Sequence, residues 1–120
     1  MKIVIPARGT NLDSEVDPRF GRARTLVVYD TEAKSVEAVD NSVSADAVQG
    51  AGIQVAENIS RLGADCAIAC NCGPKAFRVL QAAGIKVFLC PEGTVRGAVE
   101  GFEAGKLEEA NSPNVGGHWT

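Results

Sequence analysis

The residues of this 120-residue chain best suited to chemistry are its four cysteines, and two of them share the loop Cys70-Asn71-Cys72-Gly73-Pro74. Cys-x-Cys can offer two soft sulfur ligands to one metal ion or to a metal–sulfide cluster. It falls short of the paired Cys-x-x-Cys spacing common at a closed tetrahedral zinc site. Cys70 and Cys72 therefore read equally well as metal ligands and as inert thiols in a tight turn. Cys90 is a weaker third ligand candidate, and Cys66, inside an apolar run, reads as a small buried core residue. The single histidine, His118, sits near the end of the chain and could act as a further ligand if the tail folds over the site.

A second kind of chemistry is anion binding. Gly73-Pro74 and Gly93-Thr94 each open a helical pattern, and unpaired N–H groups at such helix starts favour anions and lower the pKa of nearby thiols. Arg8, Arg19, Arg22, Asn71, Gly73, Pro74 and Thr94 are accordingly the candidate binding residues. The plainer reading of Arg19 or Arg22 taken alone is a salt bridge to Asp13, Glu15 or Asp17 on a solvated loop. The alternating acids of that loop lack the glycine and closing glutamate of a calcium loop. No Gly-x-x-x-x-Gly-Lys-Ser/Thr phosphate loop is present.

These residues need elements to position them. Residues 2–6 read as a short β-branched strand stopped by Pro6, and 25–30 as a second strand. The alternating 35–40 reads as an edge hairpin partner. A helix is expected over 45–62, with Gly52, Val55, Ala56, Ile59 and Leu62 on one stripe and Gly63 ending it. Residues 66–70 and 85–90 read as buried strands. A helix over 74–83, with proline at its first position and Gly84 closing it, separates them. Thr94 caps a last helix carrying Val95, Ala98, Val99 and Phe102 at helical spacing. The expected fold is α/β, a ribonuclease H-like mixed five-stranded sheet in the order 3-2-1-4-5. Strand 2 is antiparallel, helices cover both faces, and the chain forms one domain over 1–120 with a loose tail from about 106 to 120. The first strand carries no metal-binding carboxylate, which argues against a two-metal nuclease. In such sheets ligands collect beyond the carboxyl ends of the parallel strands, where Arg8, Cys70 and Cys90 would emerge.

Composition narrows the partners. The net charge is −3 with 45% apolar and 22% charged residues, and no basic run is present to displace counterions from nucleic acid. The apolar start is too short for a signal peptide or a membrane span, so the expectation is a cytoplasmic monomer with reduced thiols and no membrane partner.

The segments MKIVIPA (1–7), SEVDPRFGRA (14–23), CGPKAF (72–77), AGIKVF (83–88) and GTV (93–95) together resemble the dinitrogenase iron–molybdenum cofactor biosynthesis family, the NifX-like and NifB C-terminal group. This resemblance implies a non-enzymatic protein that binds, stores or transfers an anionic metal–sulfur cofactor or cluster, containing molybdenum with copper or iron. The chain is similar also to the orange protein branch of sulfate-reducing bacteria, which implies a molybdenum–copper sulfide cluster held non-covalently. Cys70 and Cys72 depart from the family's loop, which often lacks cysteine, whereas His118 matches a histidine common near the family's C-terminus. Two alternatives remain open. One is a redox sensor using Cys70 and Cys72. The other is an interaction module for an ATPase or a cofactor-maturation protein.

Overall fold

The structure, a computed structural model, describes residues 1–114; His118 lies outside the described residues. Six strands form one sheet in the order β3-β2-β1-β4-β5-β6. These are β1 (Lys2–Ala7), β2 (Thr25–Asp30), β3 (Ser35–Asp40), β4 (Cys66–Ala69), β5 (Lys86–Leu89) and β6 (Glu108–Glu109). β1, β4 and β5 run parallel, and β2 is antiparallel to both of its neighbours. The expected 3-2-1-4-5 order is therefore present, with one strand added. Glu108–Glu109 pair antiparallel with β5, and Ala110 N–H donates to the Val87 carbonyl at 2.8 Å. The loose tail expected from about residue 106 is thus a sheet edge followed by an anchored segment, as far as Asn114. Two glutamates in a row gave no strand signal; the unpaired outer edge of β5 supplies the pairing partner.

Alternation along the strands divides the core. From β1, Val4 packs with helices α2 (Ala51–Arg61) and α3 (Pro74–Ala82) on one face, in a cluster that includes Val55, Ile59, Phe77 and Leu80. Ile3, Ile5 and Ala7 point to the other face and meet α4 (Val95–Glu103) through Val95, Ala98 and Val99. Phe88 and Phe102 stack edge to face with ring centroids 4.9 Å apart, which fixes α4 on β5. Gly63 and Gly84 follow their helices at φ of +76° and +75°, the left-handed closure expected of them.

Two local expectations are revised. Pro6 does not stop β1. The strand continues to Ala7, with Pro6 opposite Leu26 at a level where β4 no longer pairs with β1, so its missing N–H breaks no ladder there. The helix expected over 45–62 is also interrupted, as α1 (Ser42–Ala45) and then α2 from Ala51. Arg22 donates to the carbonyls of Ala45 and Ala47 at 2.9 and 2.7 Å. These are the acceptors that a continuous helix would offer to Gln49 and Ala51. Arg24 holds Asp46 in a two-bond pair at 2.8 and 3.2 Å and pins the break from the same side.

The turn that carries Arg22, Phe20–Arg22, lies against α2 with no room to spare. A Cβ at Gly21 would stand 2.8 Å from Gly52 N and 3.1 Å from Gly52 Cα, both backbone atoms. Gly21→Ala is therefore expected to lower unfolding stability by about 1–3 kcal/mol, measured by urea titration. A value within error of wild type would mean that the turn and α2 do not pack this closely.

Candidate functional site

The carboxyl ends of β1, β4 and β5 lie together and are tied to one another by the long loop after β1. Arg8 N–H donates to the Glu15 carbonyl (2.9 Å) and Asp17 N–H to the Pro6 carbonyl (3.0 Å), so the loop folds back along the end of β1. Asn71 Nδ2 reaches the Pro18 carbonyl at 2.9 Å and fastens the loop to the end of β4. Asp17, buried, accepts from Arg19 N–H at 2.9 Å and holds the Arg19 guanidinium at 3.7 Å, while the arginine head remains exposed. Arg8 is exposed as well and touches Glu15 at 3.4 Å, a surface pair of the kind worth little to stability. Arg22 stands at the same edge, but its guanidinium is bound to the Ala45 and Ala47 carbonyls, which gives it a role in shaping the chain.

The two helix starts, alike in sequence, differ in what they leave free. At α4, Val95 N–H donates to the Ser14 carbonyl and Arg96 N–H to the Leu12 carbonyl, at 2.9 and 2.7 Å. Gly97 N–H is taken by Thr94 Oγ1 at 3.1 Å. The first turn of α4 is thus spent on holding the loop and capping itself, and Thr94 acts as an N-cap. At α3 the N-cap is Gly73, which has no side chain to offer, and Pro74 carries no N–H. Among the described residues no acceptor lies within hydrogen-bonding reach of Lys75 N–H or Ala76 N–H. Of the two expected anion sites, the α3 start keeps donors without a partner among the described residues, and the α4 start does not.

The cysteines are partnered differently from the Cys-x-Cys expectation. Cys72 is fully buried against the α2–α3 side of the core, with its Sγ 3.9 Å from the Gly73 carbonyl, and burial pushes its thiol up to about 12. Cys70 packs toward the α4 side, half-buried, with its Sγ 3.9 Å from the Sγ of Cys90. The pair that the fold brings together is Cys70 with Cys90. A hydrogen bond from the Cys90 thiol favours the Cys70 thiolate and lowers its pKa, against desolvation and the carboxylates of Glu92 and Asp17. Cys90 is raised by the same bond and by burial. Cys66 is a core residue as expected, raised to about 11 by desolvation and the nearby Asp65. Among the described residues, no three Cys, His, Asp or Glu side chains converge as a metal-holding group.

One site residue has no counterpart in the sequence reading. Asn114 accepts from Cys72 N–H through Oδ1 at 2.7 Å, and its Nδ2 donates to the Cys70 carbonyl at 3.3 Å. Its own N–H donates to the Cys72 carbonyl at 3.2 Å. The Cys70–Cys72 segment is therefore clasped like a strand edge by a residue from the polar end of the chain, where neither hydropathy nor spacing marks it.

A family model described as dinitrogenase iron-molybdenum cofactor matches residues 1–105, which span β1 through α4 and every site residue above except Asn114. The chain belongs to the dinitrogenase iron–molybdenum cofactor family. Among solved structures, the apo form of the orange protein from Desulfovibrio gigas superposes with a TM-score of 0.91 at 45% identity, over 95% of this chain and 96% of that one. A putative NifB protein from Thermotoga superposes with a TM-score of 0.78 at 42% identity, over 90% and 91% of the two chains. An uncharacterized protein of Methanocaldococcus jannaschii is 30% identical over 91% of each chain. In this member of the dinitrogenase iron–molybdenum cofactor family, the thiol burial sets a clear order of reactivity. With iodoacetamide at mildly alkaline pH, Cys70 is expected to be alkylated first, and Cys66 and Cys72 only on unfolding. Timed labelling with peptide mapping checks this, and equal rates at Cys70 and Cys72 would contradict the opposed placement of their side chains.

Proposed function

We propose that the protein binds an anionic metal–sulfur cluster as cargo, to store it or pass it on, and catalyses no reaction on it. The observation that carries this reading is the start of α3, where the Lys75 and Ala76 amides have no partner among the described residues and the Cys70 thiol stands at the end of the preceding strand. A preassembled cluster brings its own sulfide ligands, so it needs hydrogen-bond donors and counter-charge more than a full set of protein ligands. The residues present fit that need. Backbone N–H groups and the exposed guanidinium groups of Arg8 and Arg19 can donate to sulfide or oxo atoms at the periphery. Cys70 offers one soft ligand, with Cys90 behind it. The donors do not form a cage for a bare divalent ion, because Cys72 faces the opposite side of the sheet.

Membership of the family supports a role in cofactor binding or cofactor biosynthesis, and the likeness to the orange protein favours a molybdenum–copper sulfide cluster over an iron–molybdenum one. His118 remains a proposed additional ligand from outside the described residues. The carrier would act with a cofactor-maturation protein or an ATPase that delivers or receives the cluster.

The test is reconstitution of the reduced apo-protein with tetrathiomolybdate and copper(I), and separately with iron and sulfide. A visible charge-transfer band that stays with the protein through desalting is expected. In the Arg8→Ala/Arg19→Ala double variant, affinity should fall roughly tenfold, as expected for the loss of about 1.4 kcal/mol of charge-assisted hydrogen bonding. The reading is wrong for these clusters if no absorption survives desalting with either mixture.

A further inference from the structure

We propose that Cys70 and Cys90 form a reversible dithiol–disulfide pair at the carboxyl edge of the sheet. β4 and β5 are in register to their last residues, Ala69 opposite Leu89, and Cys70 and Cys90 are the next residue on each strand. Cys90 N–H donates to the Ala69 carbonyl at 3.0 Å, so the ladder continues to the level of the two cysteines. Neighbouring strands lie roughly 4.8 Å apart. That is within the Cα separation that a disulfide spans, about 4.4–6.8 Å. Both side chains point to the α4 face, and their sulfur atoms are already 3.9 Å apart. Side-chain rotation can therefore close the bond without moving the strands.

The two thiols also differ in the way that such a pair requires. Cys70 is only partly buried and its Sγ lies 3.9 Å from that of its partner, so an external oxidant reaches Cys70 with Cys90 directly behind it. Cys90 is 7% exposed and stands behind it, in the wall of a cavity of about 160 Å³ formed with Pro91, Thr94, Gly97 and Leu107. It cannot readily meet an external oxidant first, but it can resolve a mixed disulfide on Cys70. Cys72 is excluded as the resolving thiol because it is buried on the opposite face of the sheet.

With a low-molecular-weight disulfide such as glutathione disulfide as oxidant, the exchange balances in two steps. The Cys70 thiolate attacks one sulfur of the oxidant, breaks its S–S bond and releases one glutathione thiolate, which takes up a proton from water. The Cys90 thiol then gives up its proton, attacks Cys70 Sγ and expels the second glutathione. The net change is two protein thiols oxidised to one disulfide and one glutathione disulfide reduced to two glutathiones. Nothing in this pairing requires the cargo proposed above, so it stands or falls in the apo-protein.

The experiment treats anaerobically reduced, full-length protein with excess glutathione disulfide and maps the products by mass spectrometry. The expected product links the tryptic peptide 62–75 to 87–96, and fragment ions place the bond between Cys70 and Cys90. After unfolding, two of the four cysteines remain alkylatable, and dithiothreitol restores all four. Cys90→Ala is expected to stop at glutathione bound to Cys70, with wild-type circular dichroism. The wild-type map decides the matter even if that variant folds poorly. The pairing is overturned if wild type also stops at glutathione-bound Cys70, if the link joins Cys70 to Cys72, or if no protein thiol reacts.

Discussion

The hydrogen bond from Cys90 N–H to the Ala69 carbonyl, at 3.0 Å, extends the β4–β5 ladder to the last point before both chains leave the sheet. Much of the site depends on it. It levels Cys70 with Cys90 and points both side chains to the α4 face. It also sets where the chain must turn toward α3. Beyond Ala69 the strand is over, so the period-two alternation that would keep Cys72 on the same face as Cys70 no longer applies. The chain bends, Cys72 enters the other half of the core, and Gly73 is left as the N-cap of α3. A spacing that suggests one two-sulfur site thus becomes a core thiol and an edge thiol.

The same edge illustrates how donors are divided. The loop after β1 is long and polar, and it is ordered by spending backbone groups that might otherwise bind a ligand. It uses the Val95 and Arg96 amides of α4, and it places its own amides on the Pro6 and Gly93 carbonyls. Asn114 takes the Cys72 amide in the same way. Among the described residues, the donors left over at α3 are therefore a residue of this competition. Two guanidinium groups remain in solvent at the same sheet edge, at Arg8 and Arg19, while Arg22 is consumed by the turn between α1 and α2. Counter-charge at this edge is supplied mostly from side chains that can swing, and direction mostly from backbone that cannot.

What could be seen in the sequence follows from the range of the interactions involved. The strands around Val4, Val27, Ala67 and Val87, the stripe on α2 and the caps at Gly63, Gly84 and Thr94 are local patterns, and all are where the sequence places them. The helix break before Ala51 depends on Arg22 and Arg24, more than twenty residues earlier, reaching carbonyls and Asp46 across the fold. β6 depends on an open strand edge rather than on any propensity of Glu108 or Glu109. Asn114 acts on the Cys70–Cys72 segment from more than forty residues away, and no local rule marks it. Of the site, the Gly73-Pro74 helix start and the nearness of Cys70 to Cys90 were legible because both follow from counting along elements. The saturation of the α4 start and the burial of Cys72 were not, because both are decided by which groups meet in three dimensions.

In the proposed carrier, cargo is held at the start of α3 and not at that of α4. Amide chemical-shift mapping of the protein titrated with the tetrathiomolybdate–copper(I) mixture tests it most directly. Large shifts are predicted at Gly73, Lys75 and Ala76 and in the loop around Arg8 and Arg19, with Val95, Arg96 and Gly97 nearly unmoved. Shifts centred on Val95 to Gly97, or on the exposed edge of β3, would contradict it.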